Sequence, residues 1–179
     1  MLSAIFTFTS CKEDKCEIDT TLTGETSEVT RIADNHHRGY TDIVIDASPS
    51  EVWEVLTDFE NMPSWSTSLQ DIRGELANGS MVEVDFLLQG TVSTSTRTLI
   101  YEEGVLYGWS EPTSGLFAGF VDNHIYKVEM ISECQTRFVQ SDEFELVGEN
   151  MNFTSEMLAN AVVPLYQEFN RGLKAQVEN

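Results

Sequence analysis

One short stretch constrains the fold of this chain more than any other part of the sequence. Residues 41–65 begin with alternating apolar and polar side chains, which is the pattern of a half-buried β-strand. Ser48 then has the side chain of a helix N-cap, Pro49 suits the first helical position, and Glu51 completes a capping box. A second break follows at Pro63. This order of signals predicts one strand that is followed by two short helices.

Turn residues divide the rest of the chain into further strands and one long helix. After the strand in residues 41–47, more strands are predicted at residues 69–76, 81–88, 91–101, 105–110, 123–131 and 135–147. Residues 152–177 carry an apolar stripe at helical spacing, which Pro164 should kink or divide. Because the connections are short enough for antiparallel neighbours, the sequence predicts an α+β fold. In this helix-grip arrangement, a curved antiparallel sheet of seven strands wraps around the long C-terminal helix.

The order of these parts resembles the START-like superfamily, also called SRPBCC, which includes polyketide cyclases and dehydratases, lipid-transfer domains and pollen allergens. The resemblance covers residues 38–177. The residues that carry it are Ile43-x-Ile45-x-Ala47-x-Pro49-x-x-Val52-Trp53, Leu56-Thr57-Asp58-Phe59, Pro63-x-Trp65, Trp109, Gly115-Leu116-Phe117, His124, Thr136-Arg137-Phe138-x-Gln140-x-Asp142 and Phe169-Asn170-Arg171-Gly172-Leu173-Lys174. Family members commonly have Asn-Pro after the tryptophan, where this chain has Ser66-Thr67. The resemblance implies an internal cavity for a small hydrophobic molecule, although members differ in what they do with it.

The charge of the chain limits its partners. With 179 residues and 41% hydrophobic content, it is long enough for one domain with its own core. The formal net charge of −20 argues against nucleic acid and against an anionic membrane surface as the main partner. No apolar run in the sequence is long enough to span a bilayer. Neither charge nor length predicts the oligomeric state.

Residues 1–37 differ from the remainder and are predicted to be a separate segment. Phe8-Thr9-Ser10-Cys11 is similar to a bacterial lipobox, in which the cysteine is lipidated and becomes the mature N-terminus. We therefore expect a truncated lipoprotein signal that ends at Cys11 and a disordered polar tether, followed by the ligand-binding domain at residues 38–179. The alternative is a disordered tail on a cytoplasmic protein. The three cysteines predict neither a framework of several disulfides nor a zinc site.

Polar side chains come together on the last two strands of the predicted sheet. His124 and Tyr126 share one face of the penultimate strand, and Gln140 and Asp142 share one face of the last strand. If the hairpin between them centres on Glu133, His124 faces Asp142. A carboxylate beside an imidazole fixes its tautomer and raises its basicity, as general acid–base chemistry requires. Two interpretations therefore stay open: a catalytic His124–Asp142 pair, or polar groups that satisfy one another or orient a ligand.

Aromatic and apolar residues that point between the sheet and the long helix are candidates for contact with a ligand. Aromatic rings in such positions can stack on a flat molecule, and the alternative is that they belong to the core. Arg97 either meets an anionic group of the ligand or points outward. The predicted ligand-binding residues are Trp65, Val84, Phe86, Trp109, Tyr126, Phe138, Gln140, Phe144, Leu165 and Phe169.

The sequence lacks the motifs that are typical of several kinds of chemistry. It contains no glycine-rich phosphate loop, no Gly-x-Ser-x-Gly elbow and no His-Glu-x-x-His zinc motif. We therefore expect no metal and no cofactor. The leading hypothesis is binding or carriage of a lipid-like, polyketide-like or aromatic molecule. Two alternatives are a cofactor-independent cyclase or dehydratase that uses His124 and Asp142, and an interaction module such as a regulator of a chaperone ATPase.

Overall fold

The computed structural model describes residues 18–22, 24–88 and 90–179, and the predicted lipidation site at Cys11 lies outside these ranges. Helix α1 spans Pro49–Thr57, helix α2 spans Ser155–Val177, and 3₁₀ turns lie at Met62–Ser64 and Gly115–Phe117. The strands are β1 Glu25–Ala33, β2 His36–Ile45, β3 Leu69–Arg73, β4 Met81–Leu88, β5 Thr91–Thr98, β6 Ile100–Glu102, β7 Leu106–Pro112, β8 Phe120–Ser132 and β9 Gln135–Leu146.

The strands form two antiparallel sheets. One sheet has six strands in the order β1-β2-β9-β8-β7-β6, and the other has three in the order β3-β4-β5. Helix α2 packs mainly on β2 and β9. This arrangement confirms the predicted α+β helix-grip fold. The predicted number of seven strands was too low, because β1 was not expected and the strand predicted at residues 91–101 is divided at Leu99 into β5 and β6.

Strand β1 corrects the predicted start of the folded domain at residue 38. It lies within the segment that was expected to be a disordered tether, and it pairs along its length with β2. Most of its side chains are exposed, so the strand lacks the apolar alternation by which a sequence indicates burial. At its beginning, the Glu25 carboxylate accepts two hydrogen bonds from the Arg171 guanidinium of α2, at 2.7 and 2.8 Å. A polar edge strand thus resembles a linker in sequence, although it is part of the sheet.

The start of α1 is as predicted. The Ser48 hydroxyl accepts from the Glu51 amide, and the Glu51 carboxylate in turn accepts from the Ser48 amide at 2.8 Å. This capping box satisfies backbone donors that have no partner within the helix. Val52 and Leu56 are completely buried on the inner face of the helix. Local sequence and tertiary packing therefore agree here.

Helix α2 is continuous through Pro164, so of the two predicted effects, a kink or a division, the division is wrong. Proline removes the hydrogen bond to the carbonyl of Asn160, one turn earlier. Both residues are exposed, so water can hydrate that carbonyl and the helix tolerates the loss. Further along, Phe169 and Leu173 are completely buried against the sheet. This packing stabilises the second half of the helix despite the proline. Among the described residues, no helix is both long enough and apolar enough to cross a membrane.

Two apolar clusters make up the core. The larger one lies between α1, the second half of α2 and both sheets, and it includes Trp109, Phe138 and Phe169. The smaller one, around Phe120 and Phe144, lies under the first turns of α2.

Candidate functional site

A cavity of about 1110 Å³ lies between the sheets and the first half of α2. This is slightly above the usual size range of small-molecule sites, about 300–1,000 Å³. Its apolar wall is formed by Phe86, Leu87, Leu116, Phe117, Phe144, Phe153, Met157, Leu158, Ala161, Val162 and Leu165. Its polar end and rim are formed by Thr67, Ser68, Ser93, Thr94, Ser95, Arg97, Thr113, Ser114, Asp122, His124, Asp142, Tyr166 and the ring of Tyr126. The cavity therefore has an apolar body and one concentrated polar region.

The register of β8 and β9 places His124 opposite Asp142 and Tyr126 opposite Gln140, as the hairpin prediction required. The two side chains do not bond directly, because His124 Nδ1 and Asp142 Oδ2 are 3.8 Å apart. Tyr166 of α2 connects them instead. Its hydroxyl donates to Asp142 Oδ2 at 2.6 Å and lies 3.5 Å from His124 Nδ1. The polar group is thus a cluster of three residues from two strands and a helix.

Burial opposes the expected basicity of His124. It lowers the pKa of the imidazole to about 4, and the charge of Arg97 adds to this effect while the carboxylate of Asp122 opposes it. A neighbouring carboxylate thus acts in the expected direction, but burial outweighs it and the net pKa of His124 is lowered. Burial also raises the pKa of Asp142 well above its usual value, and Asp122 raises it further. Burial thus favours the neutral form of both groups.

Arg97 of β5 points into the cavity and is held by acidic residues of two other strands. Its guanidinium lies 3.9 Å from Glu111 on β7 and 3.9 Å from Asp122 on β8. It also stands over the ring of Trp109, with 6.0 Å between the guanidinium carbon and the ring centre. The Trp109 indole donates to Asp122 Oδ2 at 3.2 Å. Of the two expectations for Arg97, the inward orientation is observed.

Several buried polar atoms at this end have no hydrogen-bond partner within the described part of the chain. They are Ser95 Oγ, Arg97 Nε, Asp122 Oδ1, His124 Nε2 and Asp142 Oδ1. Buried polar atoms in folded proteins are nearly always paired, with protein or with water. All five belong to residues that line the cavity. The cavity therefore offers unused donors and acceptors to whatever occupies it.

Only some of the predicted ligand-binding residues line this cavity. Phe86, Tyr126, Phe144 and Leu165 do so, together with His124 and Asp142. The remaining ones, Trp65, Val84, Trp109, Phe138, Gln140 and Phe169, lie in or against the core behind the cavity wall. The edge of Trp65, for example, packs on Phe169 with 5.0 Å between the ring centres.

Sequence reasoning overlooked two important residues of the polar end. Asp122 lies two residues before His124, on the same face of β8. Extending the predicted strand by one residue at its start would have included it. Tyr166 follows Val162 by four residues in the apolar stripe of α2. Helical spacing therefore already placed its ring on the inner face.

The architecture and the cavity agree with a comparison at the level of sequence. The model of the polyketide cyclase/dehydrase and lipid transport family matches residues 36–178. The chain belongs to this family. No curated protein sequence matches it significantly.

Solved structures show that this member of the polyketide cyclase/dehydrase and lipid transport family has the START fold. A START superfamily protein from Mycobacterium smegmatis matches with a TM-score of 0.62 at 14% identity, over 79% of this chain and 97% of that one. The Zhui aromatase/cyclase from Streptomyces sp. R1128 matches with a TM-score of 0.62 at 14% identity, over 80% and 94% of the two chains. The protein TTHA0849 from Thermus thermophilus matches with a TM-score of 0.54 at 16% identity, over 78% and 96%.

Family and fold together fit a ligand-binding or cyclase-like domain. Within the described ranges, no group of three or more histidine, cysteine or acidic residues is arranged to hold a metal ion. The side chains of the site can supply hydrogen bonding, proton transfer and apolar contact.

Proposed function

We propose that this protein binds and carries a small hydrophobic molecule that has one polar end. The observation that carries the proposal is the cavity itself, whose body is apolar and whose unpartnered polar atoms lie together at one end. Apolar walls favour transfer of a ligand from water, and a few buried polar groups orient it. An interaction module has no need of such an interior, so the cavity favours a binding protein over that alternative.

The cavity opens between α2 and the turn at Gly115–Phe117. Large apolar side chains are exposed there, including Leu116, Met157 and Leu165, with 60%, 52% and 48% of their surface accessible. All of them also line the cavity. Their positions suit an entrance at which an apolar ligand leaves water gradually.

Titration with a neutral fluorescent apolar probe, N-phenyl-1-naphthylamine, tests the proposal. We expect saturable binding of one probe molecule to the wild-type chain. Ala161 is exposed at the cavity rim, so Ala161→Trp should block the opening and weaken binding at least tenfold, an effect of about 1.4 kcal/mol. Ala175→Trp is the matched control, because Ala175 is also exposed on α2 and does not line the cavity. Equal binding by the two variants would contradict a ligand site in this cavity.

A cofactor-independent cyclase or dehydratase is the second candidate. The observation that favours it is the cluster of His124, Asp142 and Tyr166 at the end of an apolar cavity. A neutral imidazole can accept a proton and a neutral carboxyl group can donate one, as general acid–base catalysis of enol chemistry requires. The test uses small molecules that co-purify with the natively expressed protein, identified by mass spectrometry. An enzyme would convert its ligand in a reaction that His124→Gln abolishes and His36→Gln does not.

We also propose that the protein is exported and anchored through a lipid on Cys11. Cys134 takes part in a disulfide, and the other two cysteines of the sequence, Cys11 and Cys16, lie outside the described residues. Disulfides persist mainly in oxidising compartments, which supports export. Mass spectrometry of the natively expressed protein tests the anchor. An unmodified Cys11 in the mature chain would contradict it.

A further inference from the structure

The polar end of the cavity contains a cation whose charge is already compensated. Resting on the proposed function, we infer that the ligand ends in an uncharged hydroxyl or carbonyl group, and that Asp122 is the residue that rejects a carboxylate there. The inference concerns specificity within the site, so it can fail while the proposed binding function stands.

The charges at the polar end of the cavity disfavour an anionic ligand. Among the described residues that line the cavity, Arg97 is the one arginine or lysine. It faces Asp122 and Glu111, each at 3.9 Å. Two carboxylates thus surround one guanidinium, so little positive potential remains for an anionic ligand. A ligand carboxylate near Arg97 would also approach Asp122, and repulsion between like charges is strong where water is excluded.

The hydrogen-bonding groups at the polar end also favour a hydroxyl group over a carboxylate. The unpartnered atoms include a donor, Arg97 Nε, and an acceptor, Asp122 Oδ1, while Ser95 Oγ can act as either. A hydroxyl group both donates and accepts, so it can satisfy a donor and an acceptor together. A ligand carboxylate only accepts, so it would compete with Asp122 for the donors at this end, which are Arg97 and the neutral Asp142 carboxyl group. The direction of the pKa shift of Asp142, which burial keeps towards its neutral form, also fits an uncharged guest.

The carboxylate of Asp122 is held in one orientation by its neighbours. Its Oδ2 atom accepts from the Trp109 indole at 3.2 Å, whereas its Oδ1 atom accepts from no backbone or side-chain N–H, and the neutral Asp142 carboxyl group is the one neighbouring donor among the described residues. Trp109 is completely buried and therefore cannot move aside easily. The carboxylate is thus held with one oxygen available to the cavity.

Competition between two probes of the same shape tests the inference. At pH 7.5, 2-naphthol is neutral and 2-naphthoate is an anion, and each is used to displace N-phenyl-1-naphthylamine. We expect the wild-type chain to bind 2-naphthol at least about tenfold more tightly, as a net repulsion of one buried charge pair implies. In Asp122→Asn, which keeps the shape and removes the charge, this ratio should fall about tenfold. Asp71→Asn is the control, because Asp71 lies on β3 outside the cavity and should keep the wild-type ratio.

The outcomes separate the inference from the function on which it rests. If N-phenyl-1-naphthylamine binds but 2-naphthoate competes as well as 2-naphthol, the specificity inference is wrong and the binding function stands. An unchanged ratio in folded Asp122→Asn would overturn the role of Asp122 alone. If no probe binds, both the function and the inference fail. The wild-type ratio needs no variant, so it decides whether the bound group is uncharged even if Asp122→Asn does not fold.

Discussion

The buried imidazole of His124 should make the fold less stable in acid. Burial lowers its pKa from 6.5 to about 4, whereas in the unfolded chain the ring titrates near its usual value. Between these two pH values the unfolded state binds a proton that the folded state does not bind. The contribution to stability is therefore fully present above pH 6.5 and is lost as the pH falls to about 4. At 1.36 kcal/mol for each pKa unit, the total loss is about 3 kcal/mol.

Replacing His124 by glutamine removes the titrating ring, so the variant should lose about 2–3 kcal/mol less stability on acidification than the wild-type chain does. Urea unfolding between pH 7.5 and pH 4.5, followed by tryptophan fluorescence, measures the difference. The two proteins are compared by how much their unfolding free energy changes between these pH values, because the substitution also changes packing at every pH. Asp142 has the opposite effect, because its pKa is raised in the folded state and its protonation therefore stabilises the fold as the pH falls. This effect is present in both the wild-type chain and the variant.

His36→Gln provides the matched control for this measurement. It removes an imidazole that does not line the cavity and that pairs with Glu143 at 3.2 Å. The difference between the two variants therefore isolates the buried ring. Parallel curves of unfolding free energy against pH for the wild-type chain and His124→Gln would refute the reasoning. They would mean that the imidazole of His124 has the same pKa in the folded state as in the unfolded state.

Three further substitutions test other parts of the account, each by urea unfolding. Tyr166→Phe removes the donor that Asp142 uses, and it should lower the unfolding free energy by about 1–3 kcal/mol; no loss would show that the bond contributes nothing. Gly108→Ala should be more damaging, because a Cβ atom there would collide with the backbone oxygen of His124; a normally stable variant would contradict this packing. Ser48→Ala should lose about 1 kcal/mol with its N-cap bond, and an unchanged midpoint would argue against the capping box.

Local signals were sufficient to predict much of the fold. A capping box acts within four residues, so Ser48 and Glu51 could be assigned without knowledge of the rest of the chain. The pairing of His124 with Asp142 agrees with a count centred on Glu133, although next to the turn Ser132 pairs with Gln135 and the register shifts by one residue between Met130 and Ser132. Strand alternation then indicated which side chains point towards α2.

The remaining features depend on contacts between distant parts of the chain. Arg97 and Asp122 lie on strands that are not neighbours in either sheet, so their approach depends on how the sheets curve. The lowered pKa of His124 has burial as its largest cause, and burial is a property of the assembled fold. Strand β1 is exposed along most of its length, and its sequence alone therefore resembles a linker. Pattern analysis cannot detect such features, because each is defined by what surrounds the residue in space.

The polar end of the cavity is difficult to explain by stability alone. Elsewhere in the core, buried polar side chains such as Thr136 and Gln135 make hydrogen bonds, to a backbone carbonyl and to the Asp46 carboxylate, each at 2.8 Å. Yet five of the ten buried side-chain atoms without a partner in the described chain belong to residues that line the cavity. Each such atom destabilises the fold by about 1–3 kcal/mol unless something pairs with it. An apolar lining of the same shape would avoid that cost. The placement of these atoms therefore supports the proposal that the cavity receives a molecule whose polar end they bind.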